Sequence, residues 1–494
     1  MKKIRNSIVL LFGFLSISSC MKYDDLRENP NDPVSVPPSL LFTSVVPKPI
    51  SAFTDSYSFA QYHIRNNSDG TPVDYRFGNG GFNYGYLRDI NKMVEESEKS
   101  GAPVYGILAK FLKAYYYIDM SRELGDVPLV EAMKGADNPQ PKYDTQKSVY
   151  EQSLNWLNEA NLELGQFIST NPTYILDGDF YYNGNLRLWQ KAINSYTLRV
   201  LVSLSKRAND GGINVAERFA NIINNPNTYP LMASSDDNMQ ILHQDKDGFR
   251  GPYNPDNAAY RVDIVLGKTY IDLLKNNKDP RLFKVADPTP NALAANPDEA
   301  AVRADFNAYE GADIAASTAS NSIKRVNGDL SYPNEERFWN YVGQPSVFLG
   351  YSEQELNIAE AAHRGWITND AKVHYDNGVS ASMEYYGVTA EAITNYLTIE
   401  APYVAGAQGL QRIHEQMYLV FAENSRWEGF FLNRRTGVPQ FAFSSQNNVE
   451  KLPLRWAYPS AEDSDNRENY RAALRSQFGN EIDDRDQVMW LIQD

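Results

Sequence analysis

Apolar residues recur at three-and-four spacing in one segment after another, and this periodicity limits the chain most strongly. Over 104–122 (VYGILAKFLKAYYYIDMSR) it puts Val104, Ile107, Leu108, Phe111, Leu112 and Tyr115 on one helical face. Residues 146–165 repeat it with Tyr150, Leu154, Leu157 and Asn161, and 187–206 with Trp189, Ala192, Ile193, Tyr196, Val200 and Leu204. The block 352–387 predicts two helices broken near 365–369. The first is rich in Glu and Ala; the second carries Val379, Met383 and Tyr386. Residues 411–432 predict one further helix with Ile413, Met417, Val420, Phe421, Trp427 and Phe431 on its apolar face. Large and small apolar residues on paired helices fit tetratricopeptide-like packing, although the spacing between pairs is too loose to define repeats by period alone. The fold expected is mostly α: tetratricopeptide-like helix pairs in one large domain, with few short strands. Residues 61–86, 232–262 and 287–350, rich in Asn, Asp, Gly, Pro and aromatics, read as long irregular loops, the kind that often carries function.

The N-terminus is built differently. Lys2, Lys3 and Arg5 precede Ile8–Leu15, an apolar run too short to span a bilayer but suited to a secretory signal. Ile17-Ser18-Ser19 then leads into Cys20, the only cysteine of 494 residues. A lone thiol forms no internal disulfide. Its position resembles a bacterial lipobox, in which cleavage before the cysteine leaves that residue to carry lipid. This reading makes 1–19 a signal peptide, Cys20 the lipidated residue and the membrane contact a lipid anchor alone. Losing 1–19 removes three positive charges and no negative ones, which takes the formal net charge from −15 to −18 on the remaining 475 residues. So acidic a chain lacks the basic surface that nucleic acid or an anionic membrane face requires. Residues 20–39, with Pro30, Pro33, Pro37 and Pro38, read as an extended tether ahead of a body spanning 40–494.

Catalytic and metal motifs are fragmentary. Gly267-Lys268-Thr269 ends like a phosphate-binding loop, but Val262 stands where its first glycine belongs. His414-Glu415 opens like a zinc-protease helix and continues to Tyr418 instead of a second histidine. Asp245-Lys246-Asp247-Gly248 is a fragment of a calcium loop without its partner carboxylates, so no cofactor is expected, structural calcium being an incompletely supported option. No enzyme is expected, although 62 carboxylates leave room for a hydrolytic pair distant in sequence.

Aromatics carry more information. Tyrosine (32) outnumbers phenylalanine (22), so many rings have a polar end that needs water or a partner. In DYRFGNGGFNYGY at 74–86, Tyr75, Phe77, Phe82 and Tyr84 stand among glycines. There Arg76, Asn79 and Asn83 could bond hydroxyls or carbonyls. A second cluster at 336–351 holds Phe338, Trp339 and Tyr341, and a third at 247–260 holds Phe249 and Tyr253. Rings displayed this way can stack on sugars or clamp a peptide; the same rings could equally pack the loops onto the helical body. The candidate ligand residues are Tyr75, Arg76, Phe77, Asn79, Phe82, Asn83, Tyr84, Trp339 and Tyr341.

Five segments in order resemble one family. They are the lipobox with NPNDPVSVPPSLLFTS (29–44), ELGDVPLVEA (123–132), AEAAHRGW (359–366), RWEGFFLNRRTGVPQF (426–441) and RWAYPSAEDSDNREN (455–469). Together they are similar to the SusD/RagB family of nutrient-binding outer-membrane lipoproteins. The resemblance implies a lid over a TonB-dependent β-barrel transporter that captures oligosaccharide, or in some branches peptide, at the outer face of the outer membrane without catalysis. A helical-repeat scaffold with no small ligand is the alternative. The motif residues themselves read as fold determinants: Gly125-Asp126 with Pro128 as a turn, Trp427 and Phe431 as anchors of a helix face, and Arg434 and Arg435 as cations suited to its C-terminal end.

Overall fold

The computed structural model describes residues 35–50, 52–65, 78–256, 261–443 and 451–494. Cys20 and the Tyr75–Phe77 stretch lie outside these.

Two layers of helices carry the fold. After a short α1 (Pro38–Val45), α2 (Tyr84–Ser100) and α3 (Pro103–Leu124) form a hairpin across Gly101, whose left-handed backbone stops α2. Next come α4 (Gln146–Thr170), capped by Thr145, α5 (Leu186–Ser203), capped by Asn185, and α6 (Val215–Asn224). The second layer is α7 (Tyr351–His363), α8 (Ala371–Tyr385), α9 (Ala407–Val420) and α10 (Glu428–Thr436). Each helix of the first layer packs on the next. α7 joins the layers by packing on α5, α8 and α9. A Cβ on Gly378 of α8 would lie 2.8 Å from the Leu356 side chain of α7, so glycine lets these two backbones approach. The strands are short: β1 (His63–Arg65) pairs antiparallel with β3 (Ile264–Leu266), and β2 (Met239–Ile241) with β4 (Ser346–Leu349).

Four expectations need correction. Pro38 does not block a helix; it opens α1, because the first helical position needs no N–H. The segment 411–432 is not one helix. It breaks after Val420, where Ser425 and Arg426 take positive φ, and Ser425 N–H donates to Val347 O while Asn424 Oδ1 accepts from Val347 N–H. Strand β4 therefore claims the Ser425 N–H that a continuous helix would have used. The stretch 287–350 is less irregular than expected, since short helices fill Pro290–Ala295, Glu299–Arg303, Thr318–Val326 and Glu335–Phe338. Finally, α3 and α7 are enclosed on nearly all sides. α7 buries Glu353, Gln354, Glu355, Asn357 and Glu360 together with its apolar residues.

Candidate functional site

The candidate rings fall into two groups whose contacts share no residue. The first lies at the start of α2. Gly80 N–H donates to Ala457 O, with Asn79 exposed beside it. Phe82 stacks on Tyr84 at 5.1 Å and meets Tyr143 and Tyr458 edge-on or tilted. The Tyr84 hydroxyl donates to Pro128 O, and Asn83 is the first residue ahead of the helix, its N–H pointing at Met120 Sδ. Phe82 and Tyr84 thus fasten the loop to the body. Tyr86, already in the helix, is exposed and lies flat on Tyr116.

In the second group, two loops far apart in sequence meet. Trp339 lies 5.8 Å from Tyr253 at 36°, and both rings pack edge-on against Phe53. The Tyr253 hydroxyl donates to Ala52 O. Tyr341 carries the Arg250 guanidinium 4.2 Å over its ring and donates to Asp256 Oδ1. Gly251 N–H donates to Tyr341 O, which joins the loops through the backbone. Trp339, Tyr341 and Tyr253 are each half-buried: one part of each ring is seated and the rest faces solvent. Arg250 is bonded to Asp245 and Asp256 and lies 3.7 Å from Asp247. A guanidinium therefore already meets the charge of the calcium-like turn. Among the described residues, no three His, Cys, Asp or Glu side chains are grouped to hold a metal ion.

Behind these loops a cavity of about 320 Å³ opens between β2, β4 and the end of α8. Pro345, Val347, Tyr385 and Val420 give it apolar walls, and the Asn238, Gln240 and Asn424 amides also line it. Pro345 and Tyr385 also wall a smaller cavity that reaches Tyr253 and Phe338, so the ring group and the chamber adjoin. Asp236, Glu353 and Glu384 line it as well, and apolar walls with amides and carboxylates suit a small hydroxyl-rich ligand that has flat apolar faces. The periodicity that located the helices gave no sign of this chamber, because its lining comes from four separate segments.

The motif residues do structural work, in part by another route than expected. Gly125 takes φ +99°, and the Asp126 carboxylate accepts from Gln146 N–H at the start of α4. Burial pushes Asp126 up to about 7. Tyr458 from the late motif donates to Asp126 O, so two segments over 300 residues apart close on each other. Arg434 and Arg435 do not serve the end of their own helix, which Gly437 caps. Arg434 donates to Arg122 O and Leu454 O, and Arg435 pairs with Glu360.

A family model described as starch-binding associating with the outer membrane matches residues 30–459. The chain belongs to the SusD-like family. Solved SusD-like relatives agree over nearly all of it. A Bacteroides vulgatus protein, described as an outer-membrane protein involved in nutrient binding, shares 34% identity at a TM-score of 0.82. That match covers 93% of this chain and 100% of the other. A SusD homologue of Bacteroides fragilis shares 32% at 0.81, with the same coverage. A chitin-binding SusD homologue of Flavobacterium johnsoniae shares 19% at 0.71, covering 93% of this chain and 96% of that one, a likeness of fold. No curated protein matches the chain.

Proposed function

We propose that this SusD-like protein is a lipid-anchored binding protein of the outer cell surface, without catalytic activity. It captures oligosaccharide and passes it to a TonB-dependent β-barrel transporter. The observation that carries the reading is the half-buried Trp339, Tyr341 and Tyr253 group beside the 320 Å³ chamber, in a chain of a starch-binding, outer-membrane family. Rings fixed from behind by Phe53 and Ala52 lose little freedom on binding and offer flat faces to a sugar. Asn238, Gln240 and Asn424 supply both donors and acceptors, as sugar hydroxyls require. Tyr75, Arg76 and Phe77 belong to the stretch that follows β1 in sequence. β1 ends at Arg65, which bonds to Phe53 O behind Trp339. The three residues lie outside the described residues and are proposed as ligand residues from the sequence alone. Phe82 and Tyr84 fasten the loop ahead of α2 to the body.

The test is titration calorimetry with starch, chitin and other neutral oligosaccharides. Trp339→Ala is expected to weaken binding by about tenfold or more, roughly 1.4 kcal/mol, in a chain that still unfolds cooperatively at a somewhat lower midpoint. Tyr84→Phe is expected to leave affinity intact and lose about 1 kcal/mol of stability with the bond to Pro128. Tight binding of peptides with no response to any glycan would overturn the choice of cargo. Unaltered affinity in Trp339→Ala would overturn the choice of site.

A further inference from the structure

Where α3, α5, α7 and α10 meet, the protein holds a cavity of about 40 Å³ walled by the guanidinium groups of Arg122, Arg199, Arg434 and Arg435, with the carboxylates of Glu353 and Glu428. It has room for a monoatomic ion or a water or two. Three of the arginines are matched. Arg122 makes two bonds of 2.6 and 2.7 Å to Glu428, Arg199 two of 2.5 and 2.6 Å to Glu353, and Arg435 two of 2.5 and 2.9 Å to Glu360. Arg434 is not. It lies within ion-pair distance of no carboxylate among the described residues, and its Nη1 serves two backbone carbonyls.

Its Nε has no acceptor, although Arg434 is only 8% exposed. Asn357 Nδ2, on the same cavity wall and 3% exposed, also meets no acceptor in hydrogen-bond geometry, although its amide lies beside the Glu353 carboxylate. Glu123 is near enough to Arg434 to act on its charge, but burial pushes that carboxyl up to about 8, so it is largely protonated at neutral pH. Burial and the Arg122 charge bring Arg434 itself down to about 9. The Phe431 ring, 4.7 Å from the guanidinium, answers part of this charge, but no anion does, and a buried cation without a counter-charge is costly. The unpaired groups on the wall are N–H donors, and each carboxylate there already takes two guanidinium bonds. A water would satisfy the donors but find few acceptors for its own hydrogens.

We propose that this cavity binds a small monovalent anion, chloride in ordinary media, held by Arg434 Nε and Asn357 Nδ2. The ion balances the fourth guanidinium and links C-terminal α10 to α7. Its cavity shares one wall residue, Glu353, with the ligand chamber, but Arg434 and Asn357 line only this cavity, and its test reads salt and not glycan.

Thermal unfolding of the purified protein in sodium gluconate, with chloride replacing gluconate at constant ionic strength, tests this. The midpoint is expected to rise saturably by about 1–3 °C as chloride replaces gluconate, as for any ligand bound only by the folded state. Arg434→Gln, which keeps a donor and loses the charge, should lose the response. In crystals of the unaltered protein grown in bromide, an anomalous peak should lie within hydrogen-bond distance of Arg434 Nε. Equal midpoints in the two salts, or ordinary water in place of a bromide peak, would overturn the proposal. The diffraction result holds even if Arg434→Gln does not fold.

Discussion

Glu360 shows what one buried carboxylate does in this fold. It is fully enclosed, pairs with Arg435 through both oxygens, bonds Arg364 on its own helix and lies 3.2 Å from His414 Nε2. Burial opposes its charge, but Arg435 and His414 outweigh that and hold it well below the usual carboxylate range. Removing it strands a buried guanidinium. Glu360→Ala is therefore expected to destabilise the protein by about 3–5 kcal/mol in denaturant unfolding. None of this was legible at the residue level. In EQELNIAEAAHRG the glutamates look like the solvated side of an amphipathic helix, and only the neighbours on every face of α7 turn them inward. Arg434 and Arg435 teach the same lesson: their place near a helix end suggested a dipole contact, while their side chains were long enough to reach other helices.

At the scale of elements, α3 is the most demanding. Its expected apolar face is buried apart from the half-buried Ile107, and so are Tyr105, Tyr116, Tyr117, Ile118 and Met120 on its other faces. The last two turns then bring Asp119 and Glu123 into a setting that disfavours their charge. Burial raises both; the neighbouring Asp119 charge adds to Glu123, against the pull of Arg426, Arg434 and Arg122. The sign follows from the direction. A carboxyl raised in the folded state above its ordinary value stabilises the fold below that ordinary value. It loses that contribution as pH climbs through the folded one. For Glu123 the window runs from near 4.5 to about 8, and for Asp126 from near 3.8 to about 7. These two groups are expected to lower the unfolding midpoint as pH rises from near 4.5 to about 8. Glu123→Gln should flatten part of that fall when midpoints are followed across the range. The broken segment at 421–427 belongs to this scale too. Its apolar spacing continued unbroken through 411–432, so periodicity could not locate an interruption made by hydrogen bonds to β4.

For the whole molecule, the distant segments give the clearest result. The turn after α3, α10 and the late YPS motif are weak signals alone, yet Tyr458 on Asp126, Arg122 on Glu428 and Arg434 on Arg122 O hold them in one structure. Ser35, the first of the described residues, donates to Glu96 on α2. If Cys20 carries the lipid, Cys20→Ser should move the chain from the membrane to the soluble fraction while its glycan affinity stays the same. Fractionation followed by calorimetry checks both.

By itself the sequence determined most of the long helices, the family, and the aromatic loops worth inspecting. Helical periodicity, turn residues and short motifs are local properties that need no partner to be written in the chain. Tertiary structure alone decided which rings are held from behind and still face solvent, which glutamates meet arginines, and where a chamber forms. Those outcomes depend on side chains brought together from separate segments: Trp339 reaches Tyr253 and Phe53, and Glu360 reaches Arg435, only after the helices have packed. Desolvation, which gives a buried charge or a half-buried ring its character, does not exist for a segment until its neighbours arrive.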